Sequence, residues 1–183
     1  MRKAILFDLD GTLINSMDDH YQAWHHAFSQ ENIDLKAEEF YPYEGEKLEN
    51  LVLRISQIYQ KKLNYKALYH QKEQYFNTNW NLKFYDGALE ILTWLKHRSF
   101  LLGLVTAGKR DRINQTLPNN FKSFFNVIVT SEDYQEGKPS PEPYQKAIQQ
   151  IDADVLFAVE NAPFGILSAK AAGLKTVAFT STN

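Results

Sequence analysis

The chain contains no cysteine among its 183 residues, and it has little of several other features that mark particular classes of protein. The absence of cysteine excludes disulfide bonds, thiolate catalysis and thiolate metal sites. Lys and Arg number 20 against 22 Asp and Glu, so there is no basic surplus for a nucleic-acid surface. No apolar run approaches the ~20 residues of a membrane span. We therefore expect no nucleic-acid or membrane partner, and a small-molecule ligand is the better prediction.

The composition, by contrast, is that of a folded domain. Hydrophobic residues make up 44% of the chain and aromatic residues 14%, which is far from the polar signature of disorder. The length suits one core, or one core with a small insertion, given about 100–200 residues per domain. The N-terminus leads directly into a strand-like segment and not into a leader, so we expect a cytoplasmic protein. We expect it to be a monomer or a weak homodimer.

The most informative segment lies near the N-terminus. Residues 4–7 form a short continuous apolar run, typical of a strand buried in a parallel sheet. Asp8 and Asp10 follow at its carboxyl end, which is where open α/β sheets bind ligands, and Gly11 permits a sharp exit. Such aspartates also occur in plain turns. At a strand end, however, a carboxylate can attack phosphorus, so we predict a phosphoryl-transfer site.

The rest of the chain divides into an insertion and a series of βα units. Residues 15–84 hold three helical patterns, predicted over 18–30, 47–59 and 65–79, and nothing there alternates like a strand. From residue 85 onward, apolar runs alternate with helical patterns. Repeated βα units predict an α/β fold, a Rossmann-like doubly wound parallel sheet. The predicted strands are 100–105, 126–130, 155–159 and 175–179, and the predicted helices are 86–97, 109–117, one opened by Ser140 and Pro141, and one from Pro163.

Two of these later strands are followed by residues that suit phosphate binding. Thr106 ends one strand, and its hydroxyl with the N–H groups of Ala107 and Gly108 could hold phosphate oxygens. Lys138 lies in a Gly- and Pro-rich loop before a helix, where it would be a positioned cation offsetting the charge of phosphate and carboxylate. Considered alone, Thr106 could simply end an element and Lys138 could be an ordinary surface lysine.

An acidic residue and an amide follow another strand. Glu160 and Asn161 come directly after the run 155–159, and Pro163 begins the next helix. Glu160 could orient metal-bound water. Asn161 could serve the same site or cap the helix, because asparagine is a favoured N-cap residue. Both uses remain open from the sequence.

Four ordered segments together resemble the haloacid dehalogenase-like superfamily, and in particular its phosphatases with a helical cap inserted after the first strand, the subfamily that includes phosphoglycolate phosphatases and beta-phosphoglucomutases. The segments are FDLDGT at 7–12, VTAG at 105–108, GKPSPEPY at 137–144 and VENAPFGILSAKAAGL at 159–174. The resemblance implies a core of residues 1–14 and 85–183. It also implies that residues 15–84, here called the cap segment, close over the substrate.

The resemblance also implies roles for the site residues. Asp8 would be the nucleophile that becomes an aspartyl phosphate, and Asp10 the general acid and base. Thr106 and Lys138 would hold the phosphate. Mg²⁺ would be bound by Asp8, Asp10 through its main-chain carbonyl, Glu160 and Asn161. Relatives commonly carry an aspartate where Asn161 stands, so we expect weaker metal binding here.

The cap segment gives modest clues to the substrate, which we expect to be a small phosphorylated metabolite. His20 and Trp24 share a helix face, and Gly45 with Lys47 marks a loop that could bring a cation toward a substrate, although packing is an alternative for both. His20 and Trp24 resemble residues of phosphosugar mutases, but the arginine expected after the glycine of that loop is missing. Hydrolysis is therefore favoured. A mutase and a non-catalytic binding protein weakened at Asn161 remain alternatives.

Overall fold

The centre of the fold is a sheet of five parallel strands. The computed structural model describes residues 2–180, so Met1 and residues 181–183 of the predicted core lie outside the described part. The strands are β1 Lys3–Phe7, β2 Leu101–Val105, β3 Val127–Val129, β4 Asp154–Glu160 and β5 Lys175–Ala178. They lie side by side in the order β3-β2-β1-β4-β5, with every neighbouring pair parallel. The predicted Rossmann-like α/β architecture is confirmed.

Helices connect the strands and pack on both faces of the sheet. For the five helices whose two ends were both predicted, each end lies within two residues of the predicted position. A short helix at 119–122 and two 3₁₀ turns at 37–39 and 41–43 were not predicted, because such short turns leave no room for a periodic apolar pattern. The helices are α1 Met17–Ser29, α2 Leu48–Ile58, α3 Tyr65–Asn79, α4 Ala88–His97, α5 Arg110–Thr116, α6 Asn119–Lys122, α7 Glu142–Gln150 and α8 Pro163–Ala171. None of the helices within residues 2–180 is long and apolar enough to cross a membrane.

Local hydrogen bonds lie at the start of α7 and at the end of α8. Helix α7 begins at Glu142, two residues after Ser140, and the Ser140 hydroxyl accepts a hydrogen bond from the Glu142 N–H at 3.3 Å. After α8, Gly173 adopts a φ of +85°, and the N–H of Leu174 donates back to the carbonyl of Ala169 at 3.0 Å. This left-handed glycine ends the helix and turns the chain into β5.

The central strand β1 contributes to a separate apolar cluster on each face of the sheet. Ile5 and Phe7 pack with α4 and α5 on one face, whereas Ala4 and Leu6 pack with α7 and α8 on the other. This alternation follows from the two-residue period of a strand. Full burial of a side chain such as leucine or isoleucine is worth about 1.5–3 kcal/mol. Burial on both faces therefore fixes the strand whose carboxyl end carries Asp8.

Three helices of the cap segment, α1, α2 and α3, enclose a third apolar cluster that is distinct from the two sheet clusters. The chain enters and leaves this segment side by side. The N–H of Asn15 donates to the carbonyl of Lys83 at 2.8 Å, and the N–H of Tyr85 donates to the carbonyl of Leu13 at 3.1 Å. These adjacent crossings are where the predicted boundaries between core and cap fall, and the division into two domains stays a prediction.

Truncation of Ile55 tests the cap cluster. Ile55 is fully buried on α2, so Ile55→Ala should lower the free energy of unfolding by about 2–5 kcal/mol. Ile58 lies on the same helix but is 51% exposed, so Ile58→Ala should change the free energy of unfolding by no more than about 0.5 kcal/mol. Urea unfolding of both variants gives the comparison. Equal effects at the two positions would contradict the described packing of α2.

Candidate active site

Asp8 lies at the carboxyl end of β1, and a buried lysine holds its side chain. Lys138 Nζ donates to Asp8 Oδ1 at 2.7 Å and to Glu160 Oε1 at 2.5 Å, and only 1% of Lys138 is exposed. The Thr12 hydroxyl lies 3.2 Å from Asp8 Oδ2. Three predicted site residues, two at strand ends and one in the loop before α7, therefore meet in one contact. Asp8 and Glu160 lie close together because β1 and β4 are neighbours in the sheet.

The charges at this contact do not balance. One ammonium lies between two carboxylates, so the three groups carry a net charge of minus one when all are ionised. Burial, followed by the nearby charge of Glu160, raises the pKa of Asp8 to about 7, and the ammonium of Lys138 opposes this rise. Burial alone would lower the pKa of Lys138, but Asp8 and Glu160 hold it above its usual range. The lysine therefore stays charged, and the site retains an excess of negative charge.

The segment after β2 lines the cleft beside Asp8. Thr106 is almost fully buried, and its Oγ1 accepts a hydrogen bond from the N–H of Gly108 at 3.0 Å. Thr106, Ala107 and Gly108 all face the same cleft as Asp8. Their position suits the predicted phosphate contacts. The loop is tight because the hydroxyl of Thr106 fixes the main chain two residues later.

Asp10 is bound by a residue that the sequence analysis missed. Arg112 on α5 donates from its two terminal guanidinium nitrogens, to Asp10 Oδ1 at 3.2 Å and to Oδ2 at 2.5 Å. The Ser16 hydroxyl also donates to Oδ1, at 2.7 Å. Burial alone would raise the pKa of Asp10, but Arg112 and then His20 hold it well below its usual range. Asp10 is therefore a fixed carboxylate in this arrangement.

A glycine makes room for this arginine. A Cβ added at Gly108 would lie 2.3 Å from a guanidinium nitrogen of Arg112. In the sequence, Gly108 indicates a turn whose N–H could bind phosphate, and Arg112 indicates only the polar face of a short helix. No local pattern could have paired Arg112 with Asp10, because the contact joins residues that are 102 positions apart.

His20 also lies beside Asp10. Its Nε2 is 3.1 Å from Asp10 Oδ1, and its ring stacks on Phe76 with centroids 4.3 Å apart. Burial, followed by the charge of Lys72, lowers the pKa of His20 to about 4, so the ring is neutral at pH 7. A neutral ring can still donate from Nε2 to the carboxylate. His20 and Trp24 both line the cleft, although Trp24 also packs in the cap cluster.

Lys47 is not brought together with the other predicted substrate residues. Its ammonium donates to the main-chain carbonyl of Tyr134 at 3.2 Å and lies 5.4 Å from the centroid of that ring. The main chain of Lys47 packs against Gly137, where an added Cβ would lie 3.2 Å from the Lys47 nitrogen. In this arrangement Lys47 joins the cap segment to the loop that carries Lys138. Its predicted role in substrate binding stays a prediction.

Glu160 and Asn161 occupy the end of β4. Glu160 is fully buried, and its Oε1 accepts from Lys138 and from the Tyr144 hydroxyl at 2.5 Å. Its Oε2 is buried and has no hydrogen-bond partner among residues 2–180. Helix α8 is capped at Ala162 without a side-chain bond, so Asn161 does not act as its N-cap. The amide of Asn161 instead faces Thr12 on one side and Glu44 on the other.

The oxygen atoms here fit a hard divalent cation. Thr12 Oγ1 lies 3.2 Å from both Asp8 Oδ2 and Asn161 Oδ1, although a hydroxyl has only one proton to donate. The hydroxyl can therefore donate to only one of these two oxygens at a time, and Glu160 Oε2 has no donor among residues 2–180. The site thus contains oxygen acceptors without enough hydrogen-bond donors. Mg²⁺ prefers such oxygen ligands. No three His, Cys, Asp or Glu side chains within residues 2–180 form a metal site by themselves, so amide, main-chain and solvent or substrate oxygens would have to complete it.

The cleft lies between the carboxyl edge of the sheet and the cap segment. The empty space in the cleft is about 760 Å³ when its open mouth is included. Cationic residues on its wall are Lys72, Lys109 and Arg112, and the carboxylates are Asp8, Asp10, Glu44, Glu46, Glu73 and Glu160. Burial raises the pKa of Glu44 to about 7, although the hydrogen bond from Asn161 opposes this rise. Carboxylates outnumber cations on this wall, and Lys72 and Arg112 already pair with Glu73 and Asp10, so an anionic ligand would need an accompanying cation.

Two curated proteins are similar to this chain over nearly its whole length. Validoxylamine A 7'-phosphate phosphatase of Streptomyces hygroscopicus subsp. limoneus is 30% identical over an alignment of 202 positions, gaps included. The alignment covers 100% of this chain and 88% of that protein. Pyrophosphatase PpaX of Bacillus cereus (strain Q1) is 30% identical over 186 residues, which span 98% of this chain and 83% of that protein.

A solved structure and a family profile agree with these relatives. A putative beta-phosphoglucomutase from Bacteroides vulgatus superposes with a TM-score of 0.81 at 34% identity, covering 97% of this chain and 75% of that one. The profile described as haloacid dehalogenase-like hydrolase matches residues 5–179. Since that match spans nearly the whole chain, the protein belongs to the haloacid dehalogenase-like hydrolase family.

Proposed function

We propose that this enzyme is a magnesium-dependent phosphatase that hydrolyses a small phosphorylated metabolite through an aspartyl-phosphate intermediate. The observation that carries the proposal is the contact of Asp8 with the buried Lys138 at the edge of the cleft. A carboxylate at a strand end, held beside a fixed cation, is oriented for attack on an anionic phosphate. The names of the two curated relatives, a phosphatase and a pyrophosphatase, support phosphoryl transfer to water.

The two aspartates divide the chemistry between them. An oxygen of Asp8 attacks phosphorus and the bond from phosphorus to the alcohol oxygen breaks, while protonated Asp10 gives its proton to the leaving alkoxide. Asp10 then takes a proton from water, whose oxygen attacks phosphorus and breaks the bond to Asp8. Inorganic phosphate leaves and the Asp8 carboxylate is regenerated. Both oxygens of Asp10 contact Arg112 in the present arrangement, so Asp10 must give up a guanidinium contact before it acts as an acid.

The remaining site residues bind and orient the phosphate. Lys138 offsets charge on Asp8 and the phosphate, and the Thr106 hydroxyl with the N–H groups of Ala107 and Gly108 supplies donors. The Gly108 N–H donates to Thr106 Oγ1 in the present arrangement, so it must leave that contact before it binds phosphate. Mg²⁺ would be held by Asp8, the Asp10 main-chain carbonyl, Glu160 and Asn161. When bound, it offsets the repulsion between carboxylate and phosphate as a Lewis acid. The cap segment closes over the cleft and excludes bulk water.

A phosphosugar mutase is the second candidate. It is favoured by the 34% identity to the putative beta-phosphoglucomutase, which covers 97% of this chain. The two activities share the phosphorylation of Asp8 and differ in the acceptor of the phosphoryl group, which is water in one and a sugar hydroxyl in the other. A panel of sugar phosphates distinguishes them, because hydrolysis releases inorganic phosphate and a mutase releases an isomeric sugar phosphate.

Removal of the nucleophile is the first test. Asp8→Asn should reduce turnover of an aryl phosphate in Mg²⁺ by on the order of 10³-fold or more, because an amide cannot form the acyl phosphate. Asp152, an exposed aspartate paired with Arg2, provides the matched control, and Asp152→Asn should leave the rate unchanged. Thermal unfolding verifies that both variants fold. Full activity in folded Asp8→Asn would refute the mechanism.

The Arg112 contact predicts a coupling that unfolding can measure. Arg112→Met leaves Asp10 in a largely buried site without its cation, so it should cost about 3–5 kcal/mol of unfolding free energy. Asp10→Asn added to Arg112→Met removes the unpaired charge and should recover a large part of that loss. A double-mutant cycle in urea gives the coupling energy. Strictly additive effects would mean that the ion pair does not form in solution.

A further inference from the structure

One contact joins the cap segment directly to the proposed metal site. Asn161 Nδ2 donates to Glu44 Oε2 at 2.9 Å, linking residues 117 positions apart. Glu44 follows the 3₁₀ turn Tyr41–Tyr43, and Gly45 after it has a φ of +85°, which turns the chain sharply at this point. Glu44 and Asn161 both line the cleft with Asp8. A carboxylate of the cap segment is therefore held next to the end of β4.

Glu44 differs from the other carboxylates of the cleft in its charge partners. Lys138 pairs with Asp8 and Glu160, and Arg112 pairs with Asp10. Within residues 2–180 no Lys, Arg or His forms an ion pair with Glu44, whose described hydrogen bond comes from a neutral amide. A partly buried carboxylate without a cation is costly unless it is protonated or a cation binds near it. A cation bound near Glu44 would thus be stabilised by its carboxylate.

The residue type at position 161 fits this arrangement. An asparagine presents Nδ2 to Glu44 while its Oδ1 faces Thr12, 3.2 Å away, and so lies on the Asp8 side. An aspartate has no N–H to donate, so it would set two carboxylates against each other in the absence of a cation. The asparagine and the glutamate therefore form a complementary pair, with the donor on the core and the negative charge on the cap segment.

We propose that Glu44 supplies, from the cap segment, the negative charge that Asn161 lacks, so that binding of a divalent cation and closure of the cap segment are linked. This inference rests on the magnesium site of the proposed function. A cation between Asp8 and Asn161 is attracted to Glu44, either directly or through one water molecule. Because Glu44 reaches the site only when the cap segment is closed, cation binding favours the closed arrangement, and opening weakens the affinity.

Calorimetric titration of Mg²⁺ into the full chain, without any substrate, tests whether the negative charge of Glu44 strengthens Mg²⁺ binding. Glu44→Gln should weaken Mg²⁺ binding by about 10- to 100-fold, the usual effect of removing a group that supports a metal site from outside its ligands. Glu38 is an exposed glutamate in the cap segment and is outside the cleft lining, so Glu38→Gln is the control for net charge and should bind as the wild type does. Equal affinity of Glu44→Gln and the wild type would overturn the inference.

Exchanging the carboxylate of position 44 and the amide of position 161 distinguishes a loss of charge from a loss of folded structure. Glu44→Gln combined with Asn161→Asp places the donor on the cap segment and the carboxylate on the core, which preserves both the hydrogen bond and the charge. The double variant should recover most of the loss in Mg²⁺ affinity, about 10- to 100-fold, that is expected for Glu44→Gln alone. Failure to recover, in a variant with wild-type thermal stability, would also overturn the inference.

Hydrogen–deuterium exchange tests the link to closure. Addition of Mg²⁺ should slow amide exchange in residues 41–47 of the wild type, and it should do so much less in Glu44→Gln. Exchange that slows equally in both proteins would overturn the link. The aryl phosphate assay keeps the two proposals distinguishable, because turnover that needs Mg²⁺ and Asp8 supports the phosphatase even when Glu44→Gln binds Mg²⁺ normally. A wild type without measurable Mg²⁺ binding overturns the Glu44 inference and the metal dependence together.

Discussion

The site depends on the placement of Lys138 between two buried carboxylates. Burying a charge is costly unless it is paired, and this ammonium pairs with Asp8 at 2.7 Å and Glu160 at 2.5 Å. The pairing joins the loop before α7 to the ends of β1 and β4. Burial and, after it, the charge of Glu160 raise the pKa of Asp8, and one positive charge does not balance the two carboxylates. When both carboxylates are ionised, the surplus negative charge attracts a cation. In a phosphatase of this type, that cation would offset the negative charge of the substrate.

The same requirement for paired charges explains the contacts beneath the cap segment. Asp10 is satisfied by Arg112 from the core and by Ser16 and His20 from the cap segment, so the proposed acid and base is shared between the two parts of the molecule. Glu44 of the cap segment likewise contacts Asn161 of the core. The groups proposed to take part in the chemistry are thus held by residues on both sides of the cleft. Movement of the cap segment would change the environment of Asp10 as well as access for the substrate.

The architecture and the sheet-edge site could be predicted from local patterns. Apolar runs define the strands, and polar residues directly after them must lie at one edge because all the strands are parallel. This is why Asp8, Thr106 and Glu160 were placed correctly relative to the sheet. The short helix at 119–122 has too few residues for a recognisable period. Residues of the cap segment were harder to place, and Lys47 contacts the main chain of Tyr134 outside the cleft lining.

The sequence by itself determined the order of strands and helices along the chain, the residues at the strand ends and the membership in the haloacid dehalogenase-like hydrolase family, because these depend on patterns within short segments. Only the tertiary structure decided which charges meet across the cleft. Arg112 with Asp10 and Asn161 with Glu44 are separated by 102 and 117 positions, and neither contact has a local signature. The first contact forms because α5 lies beside the end of β1, and the second because the chain after the 3₁₀ turn Tyr41–Tyr43 lies beside the end of β4. In both, a buried polar group finds a hydrogen-bond partner.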